Sequence, residues 1–208
     1  MSGGIFHSAA DRPRSQGHQF DASSLIATLC YMFNLGEMSI SDIDRLIERR
    51  VGEAGHYYMS GLMRLGFNLC VFTDFDYDRA LSEGLPYLQQ YDLRHRITPS
   101  VTTPSEYDAW LIFNNEIEWR IEQSGPGVCQ RQLVDVLTQE HLVYLVQQGP
   151  VVINVNWDPQ TATSTLALAY IYQDELHVYE PYWGDYVSSI PELWQKRAAG
   201  TKLVLVRR

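Results

Sequence analysis

The chain has no long apolar run and few cysteines. No stretch of about 18 consecutive apolar residues occurs, so a transmembrane helix is not expected. The first residues contain no continuous apolar segment, so a secretory signal is not expected either. Three cysteines in 208 residues cannot all pair, and each has apolar neighbours in the sequence. This pattern predicts reduced, buried thiols and a cytoplasmic location.

Basic residues are also scarce, and the common cofactor motifs are missing. Sixteen Lys and Arg stand against 25 Asp and Glu, which gives a formal net charge of −9. An acidic surface repels the phosphate backbone, so nucleic acid is not expected as a partner. The chain contains no H-E-x-x-H, C-x-x-C or D-x-D-x-D-G motif and no G-x-x-x-x-G-K phosphate loop. We therefore predict neither a metal ion nor another cofactor.

The strongest local pattern lies in residues 149–181. Val151 to Asn156 is a β-branched run, Thr165 to Tyr172 is apolar, and Leu176 to Tyr179 is a short apolar segment that leads into an acid and a proline. Only residues 173–175 separate the last two segments. The pattern predicts three strands, of which the last two form an antiparallel hairpin.

Apolar residues at helical spacing dominate the earlier part of the chain. Residues 1–17 are small and polar and are predicted to form an N-terminal arm, followed by one domain over 18–208. The sequence pattern of residues 85–96 does not distinguish a helix from other structure. The predicted helices cover residues 21–34, 41–50, 57–65, 78–82, 107–123, 138–149 and 189–200, and further strands cover 67–73 and 202–206. Helices first and an antiparallel sheet afterwards indicate an α+β fold.

Three segments, in this order, resemble the papain-like cysteine peptidases of the bacteriocin-processing type. Residues 21–25 (DASSL) are similar to the family's C-G-P-A-x-L motif at the start of a long apolar helix. Residues 55–67 are similar to its glycine-rich stretch followed by R-x-G-F. Residues 149–152 (GPVV) and 180–181 (EP) match its G-x-P-V-x-V strand and its acid before proline. The resemblance implies N-terminal helices packed on a C-terminal antiparallel sheet, with an insertion at 80–130.

The same alignment places other residue types at two of the family's three catalytic positions. The nucleophile position falls on Asp21, or on Phe20 with a one-residue shift. The histidine position falls on Thr165, or on Ser164 with a similar shift, and the acid is Glu180. A hydroxyl side chain cannot act as a base near neutral pH, and a carboxylate cannot form the usual acyl intermediate. The resemblance therefore implies the fold without the peptidase reaction.

The two carboxylates at this expected cleft have two interpretations. Asp21 and Glu180 facing one cleft could work as acid and base or hold a divalent cation. Alternatively, Asp21 caps its helix, and Glu180 accepts hydrogen bonds from backbone amides at the end of its strand.

Aromatic residues near the same expected cleft suit the recognition of a polypeptide. We expect binding contacts from Gln19, Trp157, Tyr182 and Trp183, with Gln19 in the region where such enzymes carry an oxyanion-hole glutamine. The sequence thus predicts an inactive papain-like domain, a pseudo-peptidase, that binds a peptide or protein partner. An amide-bond hydrolase or an acyl or peptidyl transferase with a repurposed site is the alternative. A small-molecule binding protein that uses the predicted aromatic loop at residues 182–186 is a third hypothesis.

Overall fold

The protein has an α+β structure, described by a computed structural model for residues 21–47, 57–97, 99, 101–158, 163–181 and 183–208. The predicted fold class is confirmed at this level. In chain order the elements are α1 (Asp21–Met32), α2 (Ile40–Leu46), α3 (Tyr58–Arg64), β1 (Asn68–Thr73), α4 (Tyr77–Glu83), α5 (Leu85–His95), α6 (Pro104–Glu122), β2 (Cys129–Leu133), α7 (Gln139–Val146), β3 (Val151–Asp158), β4 (Thr163–Tyr172), β5 (Glu175–Glu180), β6 (Gly184–Val187), α8 (Ile190–Lys196) and β7 (Leu203–Arg207).

The seven strands of the described residues form one sheet in the order β2-β1-β7-β3-β4-β5-β6. β1 and β2 pair in parallel, and the other neighbouring strands pair antiparallel. The sheet is therefore mixed: the C-terminal strands β3 to β7 pair antiparallel as predicted, and the parallel pair of β1 with β2 was not predicted. A parallel pair needs a crossover connection, which α4, α5 and α6 provide here.

Helices cover both faces of the sheet. Successive side chains of a strand point to opposite faces, so the strand residues divide between two apolar clusters. On what we call the first face, α1, α2 and α3 pack against a cluster that includes Leu69, Val152, Leu168, Tyr170 and Val204. On the second face, α7 and α8 pack against Val151, Ile153, Ala167, Val178 and Leu205. Full burial of a Val, Leu or Ile side chain contributes about 1.5–3 kcal/mol.

The predicted β4–β5 hairpin is present. Its two-residue loop, Gln173 and Asp174, has φ angles of 49° and 65°. Two successive positive φ angles are typical of a type I′ turn, whose twist matches that of the flanking strands. β3 and β4 are each two residues longer than predicted: β3 ends at Asp158 and not at 156, and β4 begins at Thr163 and not at 165.

A second hairpin, β5–β6, was not predicted. Residues 181–183 connect the strands, and Glu180 pairs with Gly184, whose φ angle is +86°. A three-residue loop that closes on a left-handed residue is a common hairpin geometry, and glycine adopts that angle without strain. The mixture of aromatic and small residues at 182–186 predicts a loop and gives no sign of this strand.

The three crossover helices form their own apolar cluster. Its buried members are Ala80, Tyr87, Leu88, Tyr91 and Val101. α6 begins at Pro104, before the predicted residue 107, because Thr103 and Glu106 form a reciprocal capping box. Residues 85–96, which the sequence pattern left undecided, contain α5.

A further strand that was not predicted is β2, at Cys129–Leu133. β2 has the sequence CQRQL, and four of its five residues are exposed, so neither composition nor alternation predicts it. No helix among the residues listed above for the structure combines the length and apolar composition needed to cross a bilayer.

Candidate functional site

The candidate site lies at the end of the sheet where β4 begins and β5 ends. Thr165 is the third residue of β4 and pairs with Val155 of β3. Its side chain is buried, and its hydroxyl has no hydrogen-bond partner within the described part of the chain. A threonine hydroxyl stays neutral and cannot take up a proton near neutral pH. Thr165, which the papain-like resemblance places at the position of the catalytic base, therefore cannot act as a base.

Glu180 ends β5 with its side chain entirely removed from solvent, at 0% exposure. Its Oε2 atom accepts a hydrogen bond of 2.8 Å from the backbone N–H of Trp183. This bond closes the three-residue loop and supports the turn into β6. The second interpretation of this carboxylate, hydrogen bonding to the backbone at the strand end, is confirmed.

Thr165 and Glu180 lie on the second face of the sheet. Thr165 is directly opposite Val155, which belongs to the second-face cluster. Glu180 alternates with Val178 of the same cluster. Continuing the β4–β5 register by one residue places Glu180 beside Ala167, two residues along β4 from Thr165. The two side chains are therefore diagonal neighbours, within about 7–8 Å between Cα atoms.

Tyr186 of β6 extends this polar group. It pairs with Val178, and its ring packs at the border of the second-face cluster. Burial, and then the negative charge of Glu180, raise the pKa of the Tyr186 phenol to about 12. The phenol therefore remains protonated at neutral pH, which excludes it as a resting nucleophile.

α1 packs against the opposite, first face. Ser24, in the first turn of α1, forms a hydrogen bond of 2.8 Å with the hydroxyl of Tyr179. Tyr179 precedes Glu180, so the start of α1 and the end of β5 are close along the sheet but on different faces. Asp21 is the first residue of α1, and the position of its carboxylate lies outside the described residues.

The predicted binding residues divide between described and undescribed parts of the chain. Trp183 follows Glu180 and is 68% exposed, which suits contact with a partner. Trp157 belongs to the backbone of β3, but its side chain lies outside the described residues, as does the side chain of Ser164. Gln19, Phe20 and Tyr182 lie outside them altogether.

The three cysteines lie away from this group. None forms a disulfide, and Cys30 is buried in α1, where its thiol contacts the Met38 sulfur at 3.9 Å. Cys70 and Cys129 lie on the adjacent strands β1 and β2, packed toward opposite faces. Burial is the largest influence that raises the pKa of the Cys129 thiol. These surroundings disfavour a reactive thiolate.

A buried polar cluster on the first face joins three strands. Tyr170 donates a hydrogen bond of 2.5 Å to Oδ1 of Asp185, and Nδ1 of His177 lies 2.7 Å from Oδ2 of the same carboxylate. His177 lies on the face opposite Leu176 and Val178, as alternation along β5 requires. Its pairing with Asp185 depends on the register of β6, a strand that was not predicted.

A second missed cluster surrounds Asp74, just after β1. Its carboxylate accepts hydrogen bonds from the hydroxyl of Tyr91 and the backbone N–H of Leu137. Nε2 of His95 lies 3.2 Å from the same carboxylate. Burial lowers the pKa of His95, although Asp74 acts in the opposite direction. The cluster connects α5 and the segment before α7 to the sheet.

In the described segments, no three His, Cys, Asp or Glu side chains gather closely enough to hold a metal ion. Comparison with known proteins gives no assignment, because no protein-family model and no curated protein matches the chain.

Proposed function

We propose that this chain is a non-hydrolytic binding domain that holds an extended segment of a peptide or protein partner beside Glu180 and Trp183. The observation that carries the proposal is the state of Glu180. Its carboxylate is fully buried and bonded to the backbone of the loop that presents an exposed tryptophan. A carboxylate in this position shapes a surface and does not reach a substrate.

The chemistry of the neighbouring residues supports the same conclusion. Thr165 is neutral and buried, the Tyr186 phenol stays protonated, and the three thiols lie elsewhere, one buried and two half-buried. An acyl-transfer reaction needs a nucleophile and a base within hydrogen-bond reach of each other. The structure places α1 and Thr165 on opposite faces of the sheet, so they do not share the cleft that the papain-like resemblance implies. From that resemblance we keep only the expectation that the ligand is an extended polypeptide.

Trp183 supplies the contact on which the proposal depends. Tryptophan combines a large apolar area with little conformational freedom, and it is enriched among the residues that dominate binding energy. At 68% exposure its ring offers this area to a partner. Trp119 of α6, at 60% exposure, provides a control tryptophan on another element.

The test is selection of short random peptides on the immobilised protein, followed by affinity measurement with the Trp183→Ala and Trp119→Ala variants. We expect Trp183→Ala to weaken binding by about tenfold or more, as for a typical hot-spot residue. Trp119→Ala should bind like the parent protein. Equal effects of the two substitutions, or no selected peptide, would contradict the proposal.

The same peptides separate binding from catalysis. We expect mass spectrometry to find them intact after prolonged incubation with the protein. Cleavage or acyl transfer that depends on Glu180, tested with Glu180→Gln, would favour the repurposed enzyme of the sequence analysis instead.

A further inference from the structure

We propose that the partner binds by adding a strand to the outer edge of β6. This inference rests on the proposed function and specifies its binding mode. β6 ends the strand order, and no other strand of the described ranges pairs with its outer side. An edge strand presents unpaired backbone N–H and C=O groups, which an extended chain can join by hydrogen bonds.

The register identifies which backbone groups point outward. The N–H of Ser188 donates a hydrogen bond of 2.9 Å to the carbonyl of Leu176 in β5. In an antiparallel pair, hydrogen-bonded and non-bonded positions alternate. Tyr186 therefore also faces β5 with its backbone, whereas Asp185 and Val187 direct their N–H and C=O groups outward.

The two edges of the sheet differ in their protection. Natural edge strands commonly carry exposed charges that prevent pairing with other chains. β2 follows this rule, because it is polar and exposed and its Arg131 forms an ion pair with Glu118. In β6 the only charged residue is Asp185, whose side chain is 4% exposed and turned toward His177. Val187, at 55% exposure, leaves the β6 edge apolar.

The internal contacts of Asp185 also hold β6 in place. Tyr170 of β4 and His177 of β5 both bond its carboxylate, so a side-chain ladder crosses three strands. A strand that is already ordered loses little conformational entropy when a partner pairs with it. The β6 edge is therefore prepared for pairing.

The surrounding charges select the chemistry of the partner. Asp174 and Glu175 come just before Leu176, whose carbonyl accepts a hydrogen bond from Ser188 just beyond β6, and Glu192 accepts one from the Ser189 N–H. All three carboxylate residues are exposed. The backbone N–H of Ser189 lowers the pKa of Glu192, which keeps that carboxylate ionised. Lys196, on the second face, lies 5.7 Å from the Tyr186 ring. The partner we infer is an extended segment with an apolar residue near Trp183 and a basic residue near the acidic end.

The first test uses synthetic peptides obtained by the selection described above and two substitutions of one residue. Val187→Pro removes the outward N–H without removing a bond to β5, whereas Val187→Thr keeps that N–H and the branched shape. We expect Val187→Pro to weaken binding by about fivefold or more, the effect of one lost hydrogen bond. Val187→Thr should change the affinity by less than that.

The second test modifies the peptide and does not depend on the folding of a variant. Single N-methylation along the peptide should weaken binding at alternate positions only, because alternate amides of an added strand face β6. Exchange of the basic residue for a neutral one should weaken binding to the parent protein and have less effect on Glu175→Gln.

The outcomes separate the two proposals. If Val187→Pro binds like the parent and N-methylation has no alternating effect, while Trp183→Ala still weakens binding, strand addition is wrong and the binding site stands. If no peptide is selected at all, the proposed function itself fails. If a peptide shows both effects, strand addition at β6 is supported.

Discussion

Asp185 and His177 form a buried pair, with 2.7 Å between Oδ2 and Nδ1. Their side chains are 4% and 14% exposed, so the pair is shielded from solvent. Hydrogen bonds to charged groups contribute about 1.5–3 kcal/mol, more than bonds between neutral groups. The pair connects an edge strand of four residues to the body of the sheet.

We therefore expect Asp185→Asn to lower the free energy of unfolding by about 1–3 kcal/mol, because an amide cannot accept both hydrogen bonds as the carboxylate does. Urea denaturation measures this change. Glu83→Gln is the control, because Glu83 pairs with Arg79 on an exposed helix surface. That change should cost less than Asp185→Asn, because an exposed ion pair is screened by solvent and contributes little. Equal losses in the two variants would contradict a special role for Asp185.

Replacement of two buried threonines by valine should change the stability in different ways. Thr165 has a buried hydroxyl without a described partner, so Thr165→Val should leave stability unchanged or raise it by up to about 1 kcal/mol. The hydroxyl of Thr201 accepts a hydrogen bond of 3.1 Å from the N–H of Asn154. Thr201→Val should therefore cost about 1–3 kcal/mol, since that N–H loses its acceptor. Thermal and urea unfolding of both variants decide the matter, and a larger loss for Thr165→Val would refute the assignment.

Glu106 should make the start of α6 sensitive to acid. Hydrogen bonds from the backbone N–H of Thr102, with further bonds from Thr102 and Thr103, lower the pKa of Glu106 from 4.5 to about 2. A lowered folded-state pKa means that the stabilisation is present above the ordinary pKa and is lost as the pH falls through the folded-state value. The difference in unfolding midpoint between the parent and Glu106→Gln should be full at neutral pH. It should shrink between about pH 4.5 and pH 2. Glu122→Gln, at the other end of α6, serves as the control.

The thiols should react slowly in the native protein. Burial raises the pKa of Cys129, and Cys30 is fully buried. Iodoacetamide reacts with the thiolate, so labelling near neutral pH should be slow until urea exposes all three cysteines. Mass spectrometry of timed samples measures the rates. Fast labelling of one cysteine in the native protein would indicate a reactive thiolate and count against a purely binding domain.

The sequence predicts the central elements of this fold because they combine strong periodicity with clear ends. α3, β1, the β4–β5 hairpin, α8 and β7 all lie within a few residues of their predicted bounds. The segments that it misses are the two edge strands. β2 is exposed at four of its five residues, and β6 has only four residues, so neither shows the alternation that burial on one face imposes.

The candidate site was predictable only in part. The acid before proline leads directly to Glu180, and its backbone hydrogen bond follows one of the two interpretations given for it. The placement of Thr165 and α1 on different faces depends on strand register, which a short sequence motif does not reveal. The partner of His177 depends on the same register.

The parallel pairing of β1 with β2 spans the three crossover helices, whereas β3, β4, β5 and β6 follow one another along the chain with at most four residues between successive strands. Contacts between distant residues cost more loop-closure entropy than local ones. The consecutive strands can therefore assemble first, and β2 can dock late and open early. Amide hydrogen exchange should protect the interior of β4 longest, and the β2 edge should exchange before it at a lower opening free energy.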